Sequence, residues 1–170
     1  MKYILEYYIR LALLSAKPQD CPSSKAFRII LIYLYLGLSI LNALLIYGFT
    51  KGAIHGVLDL ILLYIFTRLI LRGKKERINQ TFNAFLGVGV VIGFLHTICS
   101  YVFIVDQNVK DISSVGRLLF FLMFIWIIIA YGHIVRHAAD LNLSSGISIS
   151  LGYRLLNAMM LLSISEMLRI

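Results

Sequence analysis

The stretch Arg68–Arg77, RLILRGKKER, decides the fold of this chain. It follows one run of nearly uninterrupted apolar residues and precedes another, so it predicts a basic turn between two membrane-crossing helices. Lys and Arg near helix ends resist translocation, and such a turn therefore stays on the cytoplasmic side. This one turn sets the orientation that we predict for the whole chain.

The composition around this turn is that of an integral membrane protein. Of 170 residues, 60% are hydrophobic and only 14% are charged, which leaves too little polar surface to cover a soluble globule. A net charge of +8 would suggest nucleic acid as the partner of a soluble domain. Here the basic residues flank apolar runs, where they meet anionic lipid headgroups. We predict membrane lipids as partners and no nucleic acid.

Five apolar runs are long enough to cross a hydrocarbon core of about 30 Å at 1.5 Å per residue. The predicted spans are about 26–49, 53–71, 82–105, 115–135 and 146–168. The predicted fold class is therefore all-α, a polytopic membrane protein whose transmembrane domain covers 26–170. Its fifth span is the least hydrophobic, because it contains Gly, Ser and Arg.

Residues 1–25 are predicted to form an amphipathic interfacial helix and a linker. Charged residues recur at steps of four, along one side of a helix over 2–17, and apolar residues cover much of the rest; the charged ones are Lys2, Glu6 and Arg10. This helix either lies in the lipid interface or docks on the underside of the bundle. Pro18 ends it, and Ser23 or Ser24 caps the helix that follows.

Glycines predict close contacts between helices. Gly48 to Gly52 form a tight turn between the first two spans, and Gly56 continues the step of four. In the third span Gly89 and Gly93 mark a packing face, because small residues let helix backbones approach each other.

Positive charge is distributed unequally over the two faces of this five-span layout. Eleven Lys and Arg residues fall on the side of the N-terminus, and four on the other: Lys51, Lys110, Arg117 and Arg169. The bias predicts a cytoplasmic N-terminus and an external C-terminus.

Polar residues inside the spans are the candidates for a site, since a charge at membrane depth is costly and usually faces the bundle interior. Toward the outer side are His55 and Asp59, which share a helix face, with His96 in the third span. These three could bind a divalent ion or pass a proton. The alternative is a buried His–Asp hydrogen bond that fixes helix register.

A second candidate set lies toward the inner side. His133 and His137 have helical ligand spacing but lack the adjacent Glu of a zinc hydrolase motif, which favours an interfacial pair near lipid headgroups. Arg154 is about two turns into the fifth span. It could pair with a carboxylate or reach the cytoplasmic interface by extending along the helix. Because Asp59 lies toward the other leaflet in this layout, we expect the second.

Signatures of enzymes are missing from the sequence. It contains no Gly-x-Ser-x-Gly elbow, phosphate-binding glycine loop or Cys-x-x-Cys pair. Cys21 and Cys99 fall on opposite sides of the predicted membrane and therefore do not pair. We predict a protein that is not an enzyme, with no catalytic residues, cofactor or metal.

Two stretches carry a resemblance to a known family. Gln80–Val91, QTFNAFLGVGVV, resembles the opening of the third span in bacterial Yip1-like membrane proteins. Trp126–Gly146, WIIIAYGHIVRHAADLNLSSG, is similar to that family's Trp-containing fourth span, basic exit and amphiphilic turn. Over 26–170 the resemblance implies a five-helix domain with a cytoplasmic N-terminus in a bacterial inner (plasma) membrane. It implies no catalytic residues.

Three functions follow as hypotheses. The first is a non-enzymatic membrane scaffold or accessory subunit, which binds lipids, other membrane proteins or a second copy of itself; its predicted headgroup or partner contacts are Arg72, Lys74, Lys75 and Arg77. The second is a small oligomeric transporter or channel subunit that uses His55, Asp59 and His96. The third is an intramembrane enzyme acting on lipid.

Overall fold

A computed structural model describes residues 2–47, 49–106 and 113–167 of the chain, and helices make up most of this part. The six α-helices are α1 (Lys2–Ala12), α2 (Lys25–Tyr47), α3 (Phe49–Ile70), α4 (Ile78–Asp106), α5 (Ser113–Ala139) and α6 (Leu143–Met167). Two short 3₁₀ turns, Pro18–Asp20 and Lys75–Arg77, precede α2 and α4.

Four of these helices, α2 to α5, are long and apolar enough to cross a membrane. The all-α fold and the membrane character are therefore confirmed. Helix α6 has 25 residues. It is nevertheless not among the described helices whose length and mean hydropathy suit a membrane crossing. The fifth span stays a prediction.

Helices α2 and α3 form a tight hairpin. The predicted turn is wrong at its second half, because α3 begins at Phe49 and already contains Gly52. The expected close approach is present: a Cβ on Gly52 would lie 2.7 Å from the backbone nitrogen of Leu44, and one on Gly56 would meet Ile40. Gly48 lies outside the described residues, as do Lys110 and Arg169.

Helix α4 is the centre of the bundle. Every residue from Thr81 to Gly89 is buried, since α1, α2, α3 and α5 all pack against this helix. A Cβ on Gly87 would overlap the ring of Tyr8, and one on Gly89 would overlap the ring of Tyr35. Gly93 has more room, with Leu38 3.9 Å from its ideal Cβ. Small residues on α4 thus seat aromatic rings from α1 and α2.

Helix α1 docks on the bundle through Tyr8, Leu11 and Ala12, which are buried. The helix ends at Ala12, five residues before the predicted end at 17. Leu14 has a φ of 62°, and the N–H of Ser15 donates to the carbonyl of Arg10 at 2.8 Å. This left-handed cap stops the helix before Pro18 is reached.

Helices α5 and α6 form a second hairpin, with backbones in contact. A Cβ on Gly146 would overlap the carbonyl oxygen of Gly132, and one on Gly132 would lie 2.8 Å from Cα of Ile147. Asn142 caps α6, since its Oδ1 accepts from the N–H of Ser145 at 2.7 Å. Ser24 caps α2 in the same way, because its Oγ accepts from the N–H of Phe27 at 3.1 Å.

Candidate ligand-binding cavity

A cavity of about 400 Å³ lies among α2 to α6. We call the end of the bundle formed by Arg68–Arg77 and the α5–α6 turn the basic end; the cavity extends from the middle of the bundle toward the opposite end. Its apolar wall includes Phe120, Met123 and Phe124 of α5. Nine polar side chains also line it: Tyr35, Ser39, Asn42, His55, Asp59, His96, Tyr131, Arg154 and Asn157.

Asp59 connects three helices beside this cavity. Its Oδ2 accepts hydrogen bonds from the hydroxyls of Tyr35, at 2.6 Å, and Ser39, at 3.0 Å, both on α2. Its Oδ1 accepts from Nδ2 of Asn157 on α6 at 2.7 Å. Three donors therefore hold one carboxylate at membrane depth, where a polar group without partners costs several kcal/mol.

Asn42 and His96 form a second polar contact. Nδ2 of Asn42 donates to the carbonyls of Leu38, at 3.0 Å, and Gly93, at 3.3 Å, which leaves its Oδ1 as an acceptor. That oxygen lies 3.0 Å from Nδ1 of His96. The proton of a neutral His96 is therefore on Nδ1, and Nε2 is the basic nitrogen of the ring.

Arg154 is the cation of the cavity. Its guanidinium carbon lies 4.6 Å from the centre of the Tyr131 ring and 5.7 Å from that of Tyr153. Its Nε is buried and has no acceptor among the described residues. An Arg at the centre of a membrane helix costs about 2.5–3.5 kcal/mol on insertion scales, and a desolvated cation–π contact returns about 2 kcal/mol. The two rings thus offset much of the cost without neutralising the charge.

The structure places Arg154 away from the inner set to which the sequence assigned it. Arg154 lines the cavity together with His55, Asp59 and His96, so it does not extend toward the basic end. It is 11 residues from the start of α6, or about 16 Å along the helix at 1.5 Å per residue. The expectation of an interfacial Arg154 is wrong because α6 begins earlier than predicted and Tyr131 lies opposite.

Hydroxyl and amide groups complete the cavity, and the sequence reasoning missed them. Tyr35, Ser39 and Asn42 recur at steps of four and three in α2, the spacing of one helix face. In α6, Arg154 and Asn157 are three residues apart. A search for all polar groups at helical spacing, in place of ionisable groups alone, would have found both faces.

His133 and His137 take part in a different contact. Their rings are 4.6 Å apart, and Nε2 of His133 donates to the carbonyl of Ala16 at 2.8 Å. Gln19 donates to the carbonyl of His137 at 2.7 Å. The pair therefore holds the segment after α1 against α5.

The basic turn caps the end of α5. Nζ of Lys74 donates to the carbonyl of Ala139 at 2.9 Å and to the carboxylate of Asp140 at 2.6 Å. Arg77 donates to the same carboxylate at 2.9 and 3.0 Å. These hydrogen bonds lower the pKa of Asp140. Of the four predicted lipid contacts, Lys74 and Arg77 thus bind protein groups, whereas Arg72 and Lys75 are exposed.

Metal-binding side chains are not grouped in the described part of the chain, where no three His, Cys, Asp or Glu residues lie close enough to hold an ion. No protein-family model, curated protein or solved structure matches the chain. The resemblance to Yip1-like proteins therefore stays a prediction.

Proposed function

We propose that this chain is a non-enzymatic membrane protein that binds an amphiphilic ligand inside its helix bundle. The observation that carries the proposal is the convergence of Asp59, His96 and Arg154, from three helices, on one cavity of about 400 Å³. Ligand pockets have volumes of about 300–1,000 Å³ and combine apolar walls with a few placed polar groups. The wall around Phe120 and Phe124 suits a hydrocarbon chain, and the polar groups suit a headgroup.

The proposed topology has five spans, with α6 as the fifth. Three of the polar residues that lower the apolarity of α6 face the bundle, because Ser150, Tyr153 and Asn157 are buried, whereas Ser144, Ser148 and Ser163 are exposed. Its outward side carries large apolar residues that are exposed: Leu151, Leu155, Leu156, Met159, Met160 and Leu162. A helix can cross a membrane despite a low mean hydropathy if its polar residues are buried on one side and its apolar residues face lipid on the other. The charge bias then favours a cytoplasmic N-terminus in a bacterial inner membrane.

Contacts at the basic end favour attachment to anionic lipid. Arg68, Arg72 and Lys75 border one shallow groove with Leu69 and Ile78. Each basic residue near an anionic surface contributes about 1 kcal/mol. Helix α1, with exposed Tyr3 and Leu5 on its free side, would lie in the same interface.

Binding is favoured over catalysis by the state of Asp59. Its two oxygens already accept three hydrogen bonds, an arrangement that holds helices together and leaves little capacity for proton abstraction. Transport is the second candidate, because His96 and Asp59 line the same cavity. A transporter would have to open this cavity toward both faces.

A cavity-filling substitution tests the proposal. Gly93 lines the cavity, and an ideal Cβ there has nothing closer than 3.9 Å, so Gly93→Leu should fill part of the cavity without breaking the bundle. Gly37 is exposed on α2, with nothing within 4 Å, and Gly37→Leu is the matched control. Native mass spectrometry from membranes should show a bound amphiphile in the wild type and the control, reduced about tenfold in Gly93→Leu. Equal occupancy in all three proteins would refute an internal site.

A further inference from the structure

We propose that the ligand of the cavity is an acid, with a carboxylate or phosphate group held by Arg154 and a hydrocarbon chain along α5. This inference rests on the proposed function and adds the chemical class of the ligand. The two charged groups of the cavity, Asp59 and Arg154, differ in how protein groups satisfy them.

Asp59 has three of its about four acceptor positions used by protein donors, two from α2 and one from α6. Arg154 has aromatic rings on its face and a buried Nε that meets no acceptor among the described residues. Within the described part of the chain, no ion pair joins Arg154 to Asp59. The cavity therefore offers a strong donor, while its acceptor is already engaged.

A planar guanidinium with rings against its face can still donate through its edge. Carboxylate and phosphate oxygens match that edge better than any neutral group, because they accept two parallel hydrogen bonds. A cation as ligand is disfavoured, since it would have to approach Arg154 and displace the donors on Asp59. The chemistry at the polar part of the cavity thus points to an anion.

The rest of the cavity fits an apolar chain. Phe120, Phe124 and Leu162 line the cavity and are also partly exposed on the lipid side of the bundle. Met123, which lies between the two phenylalanines in the sequence, also lines the cavity. A methionine side chain is flexible and can adapt to ligands of irregular shape. An acid with a long chain could therefore place its charge at Arg154 and its tail between α5 and α6.

Three photoactivatable probes with the same C18 chain test the inference: a fatty acid, the alkyl phosphate and the fatty alcohol. Each is incorporated at equal mole fraction into phosphatidylcholine nanodiscs that contain the full chain, and labelled peptides are mapped by mass spectrometry. Either acid should label cavity peptides of α5 and α6 about tenfold more than the alcohol. The stronger of the two acids identifies carboxylate or phosphate as the recognised group.

Variants separate the charge of Arg154 from the shape of the cavity. Arg154→Gln should abolish the preference for acids, and Arg154→Lys, which keeps the charge but loses the two-pronged contact, should retain part of it. Arg68→Gln is the control, because Arg68 also lies over a tyrosine ring, 5.8 Å from that of Tyr64, but is exposed. It should leave the preference unchanged.

The possible failures are distinguishable. If the alcohol labels the wild-type cavity as strongly as the acids, and Gly93→Leu removes that labelling, the ligand is neutral and only the present inference is overturned. If no probe labels the cavity, or Gly93→Leu changes nothing, the proposed function is overturned as well. The comparison of acid with alcohol needs only the wild-type protein, so it holds even where Arg154→Gln does not fold.

Discussion

The basic end and the cavity satisfy their polar groups in different ways. At the basic end the donors of Lys74, Arg77 and Gln19 all reach backbone carbonyls, and Asp140 receives both cations. In the cavity Asp59 is satisfied by side chains only, and Nε of Arg154 meets no acceptor among the described residues. The difference teaches that backbone carbonyls satisfy the cations at the basic end, whereas a buried donor of Arg154 in the interior has no protein acceptor among the described residues.

The largest effect is expected where backbones touch near the basic end. Gly146→Leu should lower the free energy of unfolding by at least about 3 kcal/mol, because the new side chain would overlap the carbonyl of Gly132. Unfolding in detergent, followed by circular dichroism, measures this. Gly152→Leu is the control, since nothing lies within 4 Å of its ideal Cβ. A small effect of Gly146→Leu would mean that α5 and α6 do not touch here.

A smaller effect is expected at the centre of the cavity. Asp59→Leu removes three interhelical hydrogen bonds, each contributing about 0.6 kcal/mol in a membrane protein, so stability should fall by about 2 kcal/mol. Asp59→Asn keeps the shape and part of the bonding, and it should lose less.

Protease access to the α5–α6 turn shows whether the loss of stability in Asp59→Leu comes from loosening of α6. Asn157 is the α6 partner of Asp59, so Asp59→Leu should loosen α6 and raise tryptic cleavage after Arg136, which lies in the last turn of α5 beside the α5–α6 turn. If cleavage and stability both stay at wild-type values, α6 is held by α5 alone.

The smallest effect is expected at Asp140, which is exposed. Its pKa is lowered by hydrogen bonds from Lys74 and Arg77, so its contribution is present above the ordinary carboxyl pKa and is lost as the pH falls through the lowered value. The difference in stability between wild type and Asp140→Asn should therefore be constant between pH 8 and about 5, and it should vanish in strong acid. A difference that grows as the pH falls toward 4 would contradict this assignment.

Much of the fold could be predicted because the signals are local. Apolar run length located α2 to α5, Ser24 marked the start of α2, and Gly52 and Gly56 marked a close crossing. The start of α3 was misplaced because the stretch from Gly48 to Gly52 was interpreted as a turn, whereas Gly52 lies inside the helix, where it lets α3 approach α2.

The site was harder to predict because its contacts join distant parts of the chain. The structure places His55, Asp59 and His96 around one cavity; the sequence had assigned them to one layer, since depth in a span can be counted from its ends. The depth of Arg154 was miscounted, and no sequence pattern indicates that Tyr131 packs beneath its guanidinium. Tyr35 and Asn157 were overlooked because neutral polar residues in apolar spans are common and individually uninformative.

The hydrogen bond between Asp59 and Asn157 also has a consequence for biogenesis. Ribosomes make α3 well before α6, so Asp59 enters the bilayer when only its α2 donors exist. In the proposed five-span topology, insertion of α6 then supplies the remaining donor, Nδ2 of Asn157. A translocon or chaperone that retained the early helices until α6 arrived would therefore release only chains in which Asp59 has all three of its donors.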